Sequence, residues 1–479
     1  MNVNRREDLN LPIIIQGGMG IGVSSVQMAN AVAKCGQLGV VSGTAVDSAF
    51  ARRLQDGDKD GEIRWALSKF PDQDVVTEIL DRFFIEGGKK SDASYLDVPK
   101  LSITPTPFAS KMLIAANFVE VTLAKRNTEG LIGINFLEKI QLATPASVFG
   151  AILADVDYIL MGAGIPADIP QLITDLLQRK AVNFKIKVEG ADTPHLLHFD
   201  PTIIKQVEFA DLHRPKFLAI VSSHILANYL ARDEATRPDG FVIEGPTAGG
   251  HNAPPRSKDH IADDGQVTFS DKDLADFEKV KAVGLPFWLA GGYGTPAKVK
   301  EAIDLGAVGV QVGSLFALSR ESGITDDLRD EVHKEITNGN LDVRTEPKTS
   351  ATGFPFKVVE IKGTATDPEI YEARSRKCDL GYLRSPFLRP DGGIGYRCSA
   401  EPIKTFEFKG GAEGEAENVK CLCNALMSNI GLGQVRWGTY HEPALLTLGS
   451  DLSGAEELSA LYSGCWTSAQ VVEYLVSAL

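Results

Sequence analysis

The sequence predicts an α/β protein whose core is a (β/α)8 TIM barrel with insertions, followed by an additional C-terminal α+β unit. Eight short apolar runs rich in Val and Ile recur along the first two thirds of the chain. Most of them precede a segment with the apolar spacing of a helix, and continuous apolar runs are typical of parallel strands that are buried on both faces. Eight such units in about 320 residues favour a closed barrel, and an open doubly wound sheet is the alternative.

The eight predicted strands cover residues 13–15, 38–41, 131–136, 158–161, 217–221, 241–243, 286–290 and 308–312. Helical spacing is clearest at residues 24–34, 146–154, 169–179, 224–231 and 296–305. Because strands and helices alternate in this order, each helix is expected to cross from the end of one strand to the start of the next.

We predict two domains. Residues 1–330 form the barrel, and residues 331–479 form a C-terminal accessory unit in which the alternation of strands and helices stops. Two insertions, at about 44–109 and 183–214, follow predicted strands. Loops after strands form the active-site face of a barrel, so these insertions could act as lids or bind a partner; surface decoration or an oligomer contact is the alternative.

Composition limits the classes of function. The chain has 49 Lys and Arg against 63 Asp and Glu, a net charge of -14, which argues against nucleic-acid or anionic-membrane partners. No apolar run approaches the length of a membrane span, and the run after Arg5 and Arg6 is too short for a signal-peptide core. We therefore expect a cytoplasmic protein that acts on a small-molecule substrate, and a homo-oligomer is compatible with these observations.

Glycine-rich turns follow three of the predicted strands. They lie at residues 16–20 after the first strand, 290–294 after the seventh and 311–314 after the eighth. The first turn lacks the spacing of a dinucleotide-binding fingerprint, and Ser24 is placed to cap the helix that follows. Paired turns after the last two strands of a barrel are typical of phosphate binding by backbone N–H groups.

A histidine lies among these predicted ligand-binding turns. His251 follows Gly249 and Gly250 after the sixth strand. A neutral imidazole suits proton transfer near pH 7, so this position favours a catalytic histidine over a purely structural one.

Together these four segments resemble the nitronate monooxygenase family, also called 2-nitropropane dioxygenase-like, whose members are flavin-mononucleotide (FMN) barrels. The resemblance covers roughly residues 10–325. It implies an FMN-dependent oxidoreductase that oxidises alkyl nitronates with O2 to carbonyl compounds, with His251 as the base. It also implies that the FMN contacts are Gly17, Gly18, Met19, Gly20, Asn135, Ser222, Glu244, Gly249, Gly250, Gly291, Gly292, Gln311, Gly313 and Ser314.

The chain departs from the family pattern around its histidine motif. Thr247 replaces a Glu, Ala253 replaces a Gly, and Glu244 stands where relatives often carry Gln. A carboxylate at this place would either oppose the negative charge of reduced flavin or have its pKa raised by burial. Two alternatives therefore stay open: a flavin-dependent enoyl-thioester reductase of fatty-acid or polyketide synthesis, which uses NAD(P)H, and a non-catalytic flavin-binding partner protein.

Four of the six cysteines lie in the C-terminal unit, at Cys378, Cys398, Cys421 and Cys423. Four thiolates could hold zinc or an iron–sulfur cluster. The spacing contains no CxxC pair, and buried cysteines commonly serve as small apolar groups, which is the alternative.

Overall fold

The computed structural model describes residues 11–257 and 260–479. Arg5 and Arg6, which entered the signal-peptide prediction, lie outside the described residues. Within those ranges, no helix is both long enough and apolar enough to cross a membrane.

In chain order the strands are β1 (Ile14–Gln16), β2 (Gly39–Ser42), β3 (Ile132–Leu137), β4 (Tyr158–Gly162), β5 (Val182–Ile186), β6 (His195–Phe199), β7 (Lys216–Val221), β8 (Gly240–Glu244), β9 (Phe287–Ala290), β10 (Gly309–Val312), β11 (Val343–Glu346), β12 (Phe356–Val359), β13 (Ser385–Leu388), β14 (Ile394–Arg397), β15 (Val435–Arg436) and β16 (Tyr440–His441).

The helices are α1 (Val26–Lys34), α2 (Val46–Gln55), α3 (Glu62–Leu67), α4 (Gln73–Phe83), α5 (Pro107–Ala124), α6 (Thr144–Leu153), α7 (Ile169–Leu177), α8 (His224–Ala231), α9 (Phe277–Lys281), α10 (Pro296–Asp304), α11 (Ser314–Ala317), α12 (Asp326–Thr337), α13 (Pro368–Ala373), α14 (Ile403–Phe408), α15 (Leu422–Asn429), α16 (Ser453–Tyr462) and α17 (Ser468–Val476).

All eight predicted strands are present, and they form one parallel sheet in the order β1-β10-β9-β8-β7-β4-β3-β2. The two ends of this order meet. The N–H of Gln16 donates to the carbonyl of Leu38 at 3.0 Å, and the N–H of Leu38 donates to the carbonyl of Ile14 at 3.1 Å. These hydrogen bonds join β1 to the residue that precedes β2, so the predicted barrel is confirmed and the open sheet is wrong.

Successive strand residues face opposite sides of the barrel wall. One set fills the barrel interior, and Trp288 is its largest member, with its indole N–H donating to the carbonyl of Pro12 at 2.7 Å. Val40 and Val242 belong to this interior cluster, whereas Val41 and Ile243 pack outward in the main core. Burial on both faces explains why the strands are apolar at successive positions.

The segment between β2 and β3 is largely helical. It contains α2, α3 and α4 and then α5, whose N-cap Thr106 accepts a hydrogen bond from the N–H of Ala109. Helix α5 packs against α1, α2, α3 and α6 and is buried on nearly all sides. Such a helix lacks an amphipathic pattern, which is why the sequence did not predict it.

The segment between α7 and β7 contains the antiparallel hairpin of β5 and β6. Beyond β5, the N–H of Glu189 donates to the carbonyl of Pro386 at 3.0 Å, and the N–H of Leu388 donates to the carbonyl of Glu189 at 2.9 Å. This segment therefore contacts β13, about two hundred residues later in the chain.

The last helix of the chain joins the ring of helices around the barrel. Helix α17 packs against α1, which follows the first strand, and α10, which precedes the last strand. Trp466, just before α17, is fully buried, and its indole N–H donates to the carbonyl of Leu315 in α11 at 2.8 Å. The division into domains at residue 330 stays a prediction, and the end of the chain contributes to the packing of the barrel.

Candidate active site

A cavity of about 260 Å³ lies at the carboxyl ends of the barrel strands. This is the face on which barrel enzymes place their active sites. The structure brings almost all of the predicted site residues together here: Gly17, Gly18, Met19, Gly20, Asn135, Glu244, Gly249, Gly250, His251, Gly291, Gly292, Gln311, Gly313 and Ser314. Ser222 lies outside this lining, and its neighbour Ser223 caps α8.

Hydrogen bonds from two buried side chains hold the loop after β1 in place. The hydroxyl of Ser24 accepts the N–H of Met19 at 2.8 Å and donates to the carbonyl of Gly17 at 2.8 Å. Gln16 is fully buried and donates to the same carbonyl. Ser24 therefore fixes the loop, and the predicted helix cap was wrong by one residue, because Ser25 is the N-cap of α1.

Gly18 is required by the close approach of Asn135. A Cβ atom at Gly18 would lie 2.0 Å from the Cβ of Asn135, and the Asn135 amide donates to the carbonyl of Gly18 at 3.2 Å. The loop after β1 and the end of β3 thus form one continuous floor of the cavity.

We expect Gly18→Ala to weaken flavin binding at least tenfold, because the added methyl group must displace Asn135 from the cavity floor. Titration of the apoprotein with FMN measures the loss. Gly245→Ala is the matched control, since its Cβ would meet atoms at 3.4 Å or more and Gly245 does not line the cavity. Equal flavin affinity in the two variants would contradict this role for Gly18.

Two buried hydrogen-bond acceptors of the cavity lining lack a donor among the described residues. The Asn135 Oδ1 and Gln311 Oε1 atoms have no hydrogen-bond partner among the described residues, and buried polar atoms without partners are rare in folded proteins. The isoalloxazine ring of a flavin carries both N–H and carbonyl groups that could pair with such amides. These two acceptors and the bare glycine backbone therefore fit a flavin.

The turns predicted to bind phosphate lie side by side. Gly291 and Gly292 both have φ of 79°, a conformation that favours glycine. The Ser314 hydroxyl accepts the N–H of Gly449 at 2.8 Å, so the C-terminal residues reach these turns. Asp451 also lines this end of the cavity, where its carboxylate accepts the hydroxyl of Ser453 at 2.6 Å.

His251 is enclosed and oriented. Its Nε2 lies 2.7 Å from the hydroxyl of Ser350, and its ring packs edge-on against Phe356 with 4.8 Å between centroids. Burial, followed by the nearby charge of Lys139, lowers the pKa of His251 to about 3. The imidazole is therefore neutral at physiological pH, which leaves one ring nitrogen without a proton.

The same burial affects stability. Between about pH 3 and the ordinary histidine pKa of 6.5, the unfolded chain binds a proton at His251 that the folded chain does not. The free energy of unfolding therefore falls as the pH is lowered through this range.

Glu244 is another ionisable group of the lining. Burial raises its pKa to about 7, and the charge of Lys357 opposes that rise. Lys357 is itself buried, burial lowers its pKa to about 8, and its ammonium donates to the hydroxyl of Thr345 at 2.6 Å. The sequence left two alternatives for Glu244, an ionised carboxylate that opposes reduced flavin or a carboxyl whose pKa is raised by burial. The structure favours the second.

Several lining residues come from the C-terminal part of the chain and were not predicted to lie at this cavity: Phe356, Tyr382, Leu383, Leu422, Cys423, Leu426, Thr447, Leu448 and Asp451. Tyr382 is anchored to the barrel, because its hydroxyl contacts the carboxylate of Asp47 at 2.5 Å and the hydroxyl of Ser48 at 2.6 Å. No local sequence motif marks these residues, and only the folded chain brings them to the barrel mouth.

The structure does not support the metal site predicted at Cys378, Cys398, Cys421 and Cys423. In the part of the chain that the structure describes, no group of three or more His, Cys, Asp or Glu side chains could hold a metal ion. Cys398 packs with Ala400 and Val419, next to Cys421. Burial raises the pKa of all four thiols, which disfavours the thiolate form that binds a metal.

Comparison with known proteins supports the resemblance. The nitronate monooxygenase family model matches residues 158–365. A dehydrogenase of a 5-hydroxy-7a-methyl-1-oxo-octahydro-1H-indene-4-carboxyl-CoA from Rhodococcus jostii (strain RHA1) is 24% identical over 218 residues, which are 41% of this chain and 56% of that protein. The chain thus spans little more than half the length of this relative.

Three solved structures have been compared with the chain. FabK from Thermotoga maritima is 16% identical, with a TM-score of 0.48 over 98% of this chain and 93% of that chain. Nitroalkane oxidase from Streptomyces ansochromogenes is 13% identical, with a TM-score of 0.44 over 98% and 96%. The enoyl reductase domain of MlnA from Bacillus amyloliquefaciens is 12% identical, with a TM-score of 0.46 over 98% and 95%.

The barrel, the glycine turns around its mouth and the match over residues 158–365 lead to one conclusion: this part of the chain is similar to the nitronate monooxygenase family.

Proposed function

We propose that the protein is an FMN-dependent oxidoreductase that oxidises alkyl nitronates with O2 to carbonyl compounds, with His251 as the catalytic base. The observation that carries this proposal is the neutral, buried imidazole of His251, which lines the cavity and is oriented by Ser350. A base must be unprotonated before it can act, and burial keeps His251 in that state at physiological pH.

The residues that would hold FMN are those of the cavity floor and turns. Asn135 and Gln311 would pair with the ring, and backbone N–H groups near Gly292 and Ser314 would bind the phosphate. When bound, the flavin supplies the redox chemistry by accepting electrons from the substrate and passing them to oxygen. The protein would bind the flavin and the substrate and limit the access of water to them.

The proton chemistry belongs to His251. From a neutral nitroalkane, the free imidazole nitrogen would remove the proton on the carbon next to the nitro group. The Ser350 hydroxyl holds the ring through Nε2 and is itself 2.8 Å from the hydroxyl of Thr352. A nitronate that is already ionised needs no base, and with this substrate the imidazole would only orient the anion.

Most of the cavity lining outside the predicted FMN contacts consists of apolar side chains. They come from the end of β3, from the connection after it and from the C-terminal residues: Phe136, Leu137, Ile140, Phe356, Leu383, Leu422 and Leu426. Such a wall suits the alkyl group of a nitronate, because its burial is favourable at about 25 cal/mol per Å².

The same apolar wall supports a second candidate function, reduction of an enoyl thioester with NAD(P)H, because an acyl chain also requires an apolar wall. Glu244 adds to this case, since it departs from the Gln that nitronate monooxygenases often carry. In this reaction His251 would orient or protonate the substrate.

Anaerobic stopped-flow mixing of the flavin-loaded protein with NADH, NADPH and an alkyl nitronate distinguishes the two reactions. We expect the nitronate to bleach the flavin absorbance without NAD(P)H. Rapid bleaching by NADH or NADPH alone would favour the reductase, and bound flavin that none of the three reduces would support the binding-protein alternative.

A further inference from the structure

Two hydroxyl groups in a row lead away from the ring of His251. The Ser350 hydroxyl lies 2.7 Å from Nε2 of His251, and the Thr352 hydroxyl lies 2.8 Å from that of Ser350. The N–H of Thr352 also donates to the Ser350 hydroxyl at 3.2 Å. Ser350 is 2% exposed, whereas Thr352 is partly exposed. The buried Ser350 hydroxyl therefore has three hydrogen-bonding neighbours.

The loop that carries these hydroxyls is paired with the histidine loop. The N–H of Asn252 donates to the carbonyl of Pro355 at 2.9 Å. The N–H of Lys357 donates to the carbonyl of Gly250, also at 2.9 Å. These two bonds lie on either side of His251, so backbone pairing holds the imidazole next to the hydroxyl groups.

The two nitrogens of the His251 ring have different surroundings. Nε2 bonds to Ser350. Nδ1 has no hydrogen bond to a described residue, and it is not one of the fully buried atoms that lack a partner, so it is open to the cavity that His251 lines. A neutral imidazole carries its proton on one nitrogen, and only the other nitrogen can act as a base. Nδ1 can therefore take a substrate proton only if the ring proton is on Nε2.

We propose that Thr352 is a positioning residue that keeps Nδ1 of His251 free of a proton: its hydroxyl accepts the hydrogen of the Ser350 hydroxyl, and Ser350 in turn accepts the Nε2–H of the ring. This inference rests on the proposed function, in which His251 is the base. In that reaction a bond forms between Nδ1 and the proton, the C–H bond of the nitroalkane breaks, and its electron pair stays on the nitronate.

The hydrogen-bonding capacity of Ser350 supports this assignment. A hydroxyl group has one hydrogen and two lone pairs. The N–H of Thr352 occupies one lone pair. When the hydrogen points to the Thr352 oxygen, the second lone pair faces Nε2 and requires a hydrogen there. Neutral histidine in water also favours the proton on Nε2, so this arrangement adds to an intrinsic preference.

Without the Thr352 hydroxyl, Ser350 would have the opposite effect on the ring. The acceptor that remains among its described partners is Nε2 of His251, and a buried hydroxyl hydrogen without an acceptor is costly. Donation to Nε2 requires the ring proton to move to Nδ1, where it blocks the base. Removal of the Thr352 hydroxyl should therefore slow the reaction more than removal of the Ser350 hydroxyl.

The direct test is nitrogen-15 NMR of the purified protein labelled at histidine, in which the His251 signals are identified by their loss in His251→Ala. We expect the ring proton on Nε2 in wild type and on Nδ1 in Thr352→Val. Thr352→Ser keeps the hydroxyl and should retain the wild-type tautomer. Thr349→Val is the matched control, since the hydroxyl of Thr349 in the same loop contacts Lys420 instead. A wild-type proton on Nδ1, or the same tautomer in wild type and Thr352→Val, would overturn the proposal.

Kinetics give an independent answer. Thr352→Val should lower the rate of flavin reduction by a neutral nitroalkane by about tenfold or more, whereas the rate with an ionised nitronate, which needs no base, should not change. Adding Ser350→Ala to Thr352→Val should raise the nitroalkane rate to that of Ser350→Ala alone, because the wrongly oriented hydroxyl is gone. Strictly additive losses would overturn the proposal.

The two measurements also separate this inference from the proposed function. The expected change of tautomer in Thr352→Val, combined with unchanged turnover in His251→Ala, would support the role of Thr352 in placing the ring proton and reject His251 as the base.

Discussion

His251→Ala should retain its flavin and lose at least about a hundredfold in turnover, the usual contribution of a general base. The imidazole lines the cavity, and its low pKa keeps it unprotonated. The variant removes the proton acceptor and leaves the floor and phosphate turns intact. Single-turnover flavin reduction by a neutral nitroalkane, measured alongside flavin content, checks both parts of this expectation.

The controls for His251 separate chemistry from folding. His441→Ala changes an exposed histidine on β16 and should leave turnover unchanged. Ser350→Ala removes the partner of Nε2 and should cost about tenfold or less, the scale of one hydrogen bond, whereas Ser350→Thr retains the hydroxyl and should restore the rate. Unchanged turnover in His251→Ala would reject its role as base. An acid limb near pH 6.5 that disappears in this variant would contradict the lowered pKa.

Trp466→Ala should lower the free energy of unfolding by about 3–5 kcal/mol, the range for removing a large buried aromatic side chain. Trp466 is fully buried, bonds to the carbonyl of Leu315 and packs edge-on against His333 with 4.6 Å between centroids. Its loss leaves a cavity where the end of the chain meets the last barrel unit. Urea unfolding followed by circular dichroism measures the change.

A second tryptophan provides the matched control. Trp437 is 74% exposed, so Trp437→Ala should change stability by no more than about 0.5 kcal/mol. A similar effect of both substitutions would contradict the view that residues after 450 stabilise the barrel. If the α16–α17 region packs as described, Trp466→Ala should also weaken flavin binding, because Asp451 and Ser453 line the cavity.

Strong local patterns made the barrel predictable. The run around Val242 is apolar at successive positions because alternate side chains face the interior and the helices, and such a run requires burial on both faces. Helix α5 was missed for the same physical reason: it is buried on nearly all sides, so its sequence lacks the polar face by which a helix is recognised. The place of α17 beside α1 could not be predicted, because no local pattern records a contact across the whole chain.

The predictability of each site residue likewise depended on whether it lies in a local sequence motif. Gly18 and His251 were found because each lies in a motif directly after a strand, and parallel strands end on one face of a barrel. Ser350 and Lys357 lie about a hundred residues beyond His251, outside any motif, and only tertiary packing brings them to it. For the cysteines, sequence spacing shows that four thiols are present, but it does not show whether their sulfur atoms reach the geometry that a metal ion requires.

The central claim is that the cavity at the barrel mouth binds a flavin. Its most direct test is titration of the apoprotein with FMN by calorimetry, run in parallel on Gly18→Ala. The account predicts one FMN per chain and markedly weaker binding in the variant, whose added methyl group would collide with Asn135. Wild-type protein that binds no FMN, or that binds it with an affinity unaffected by Gly18→Ala, would contradict the account.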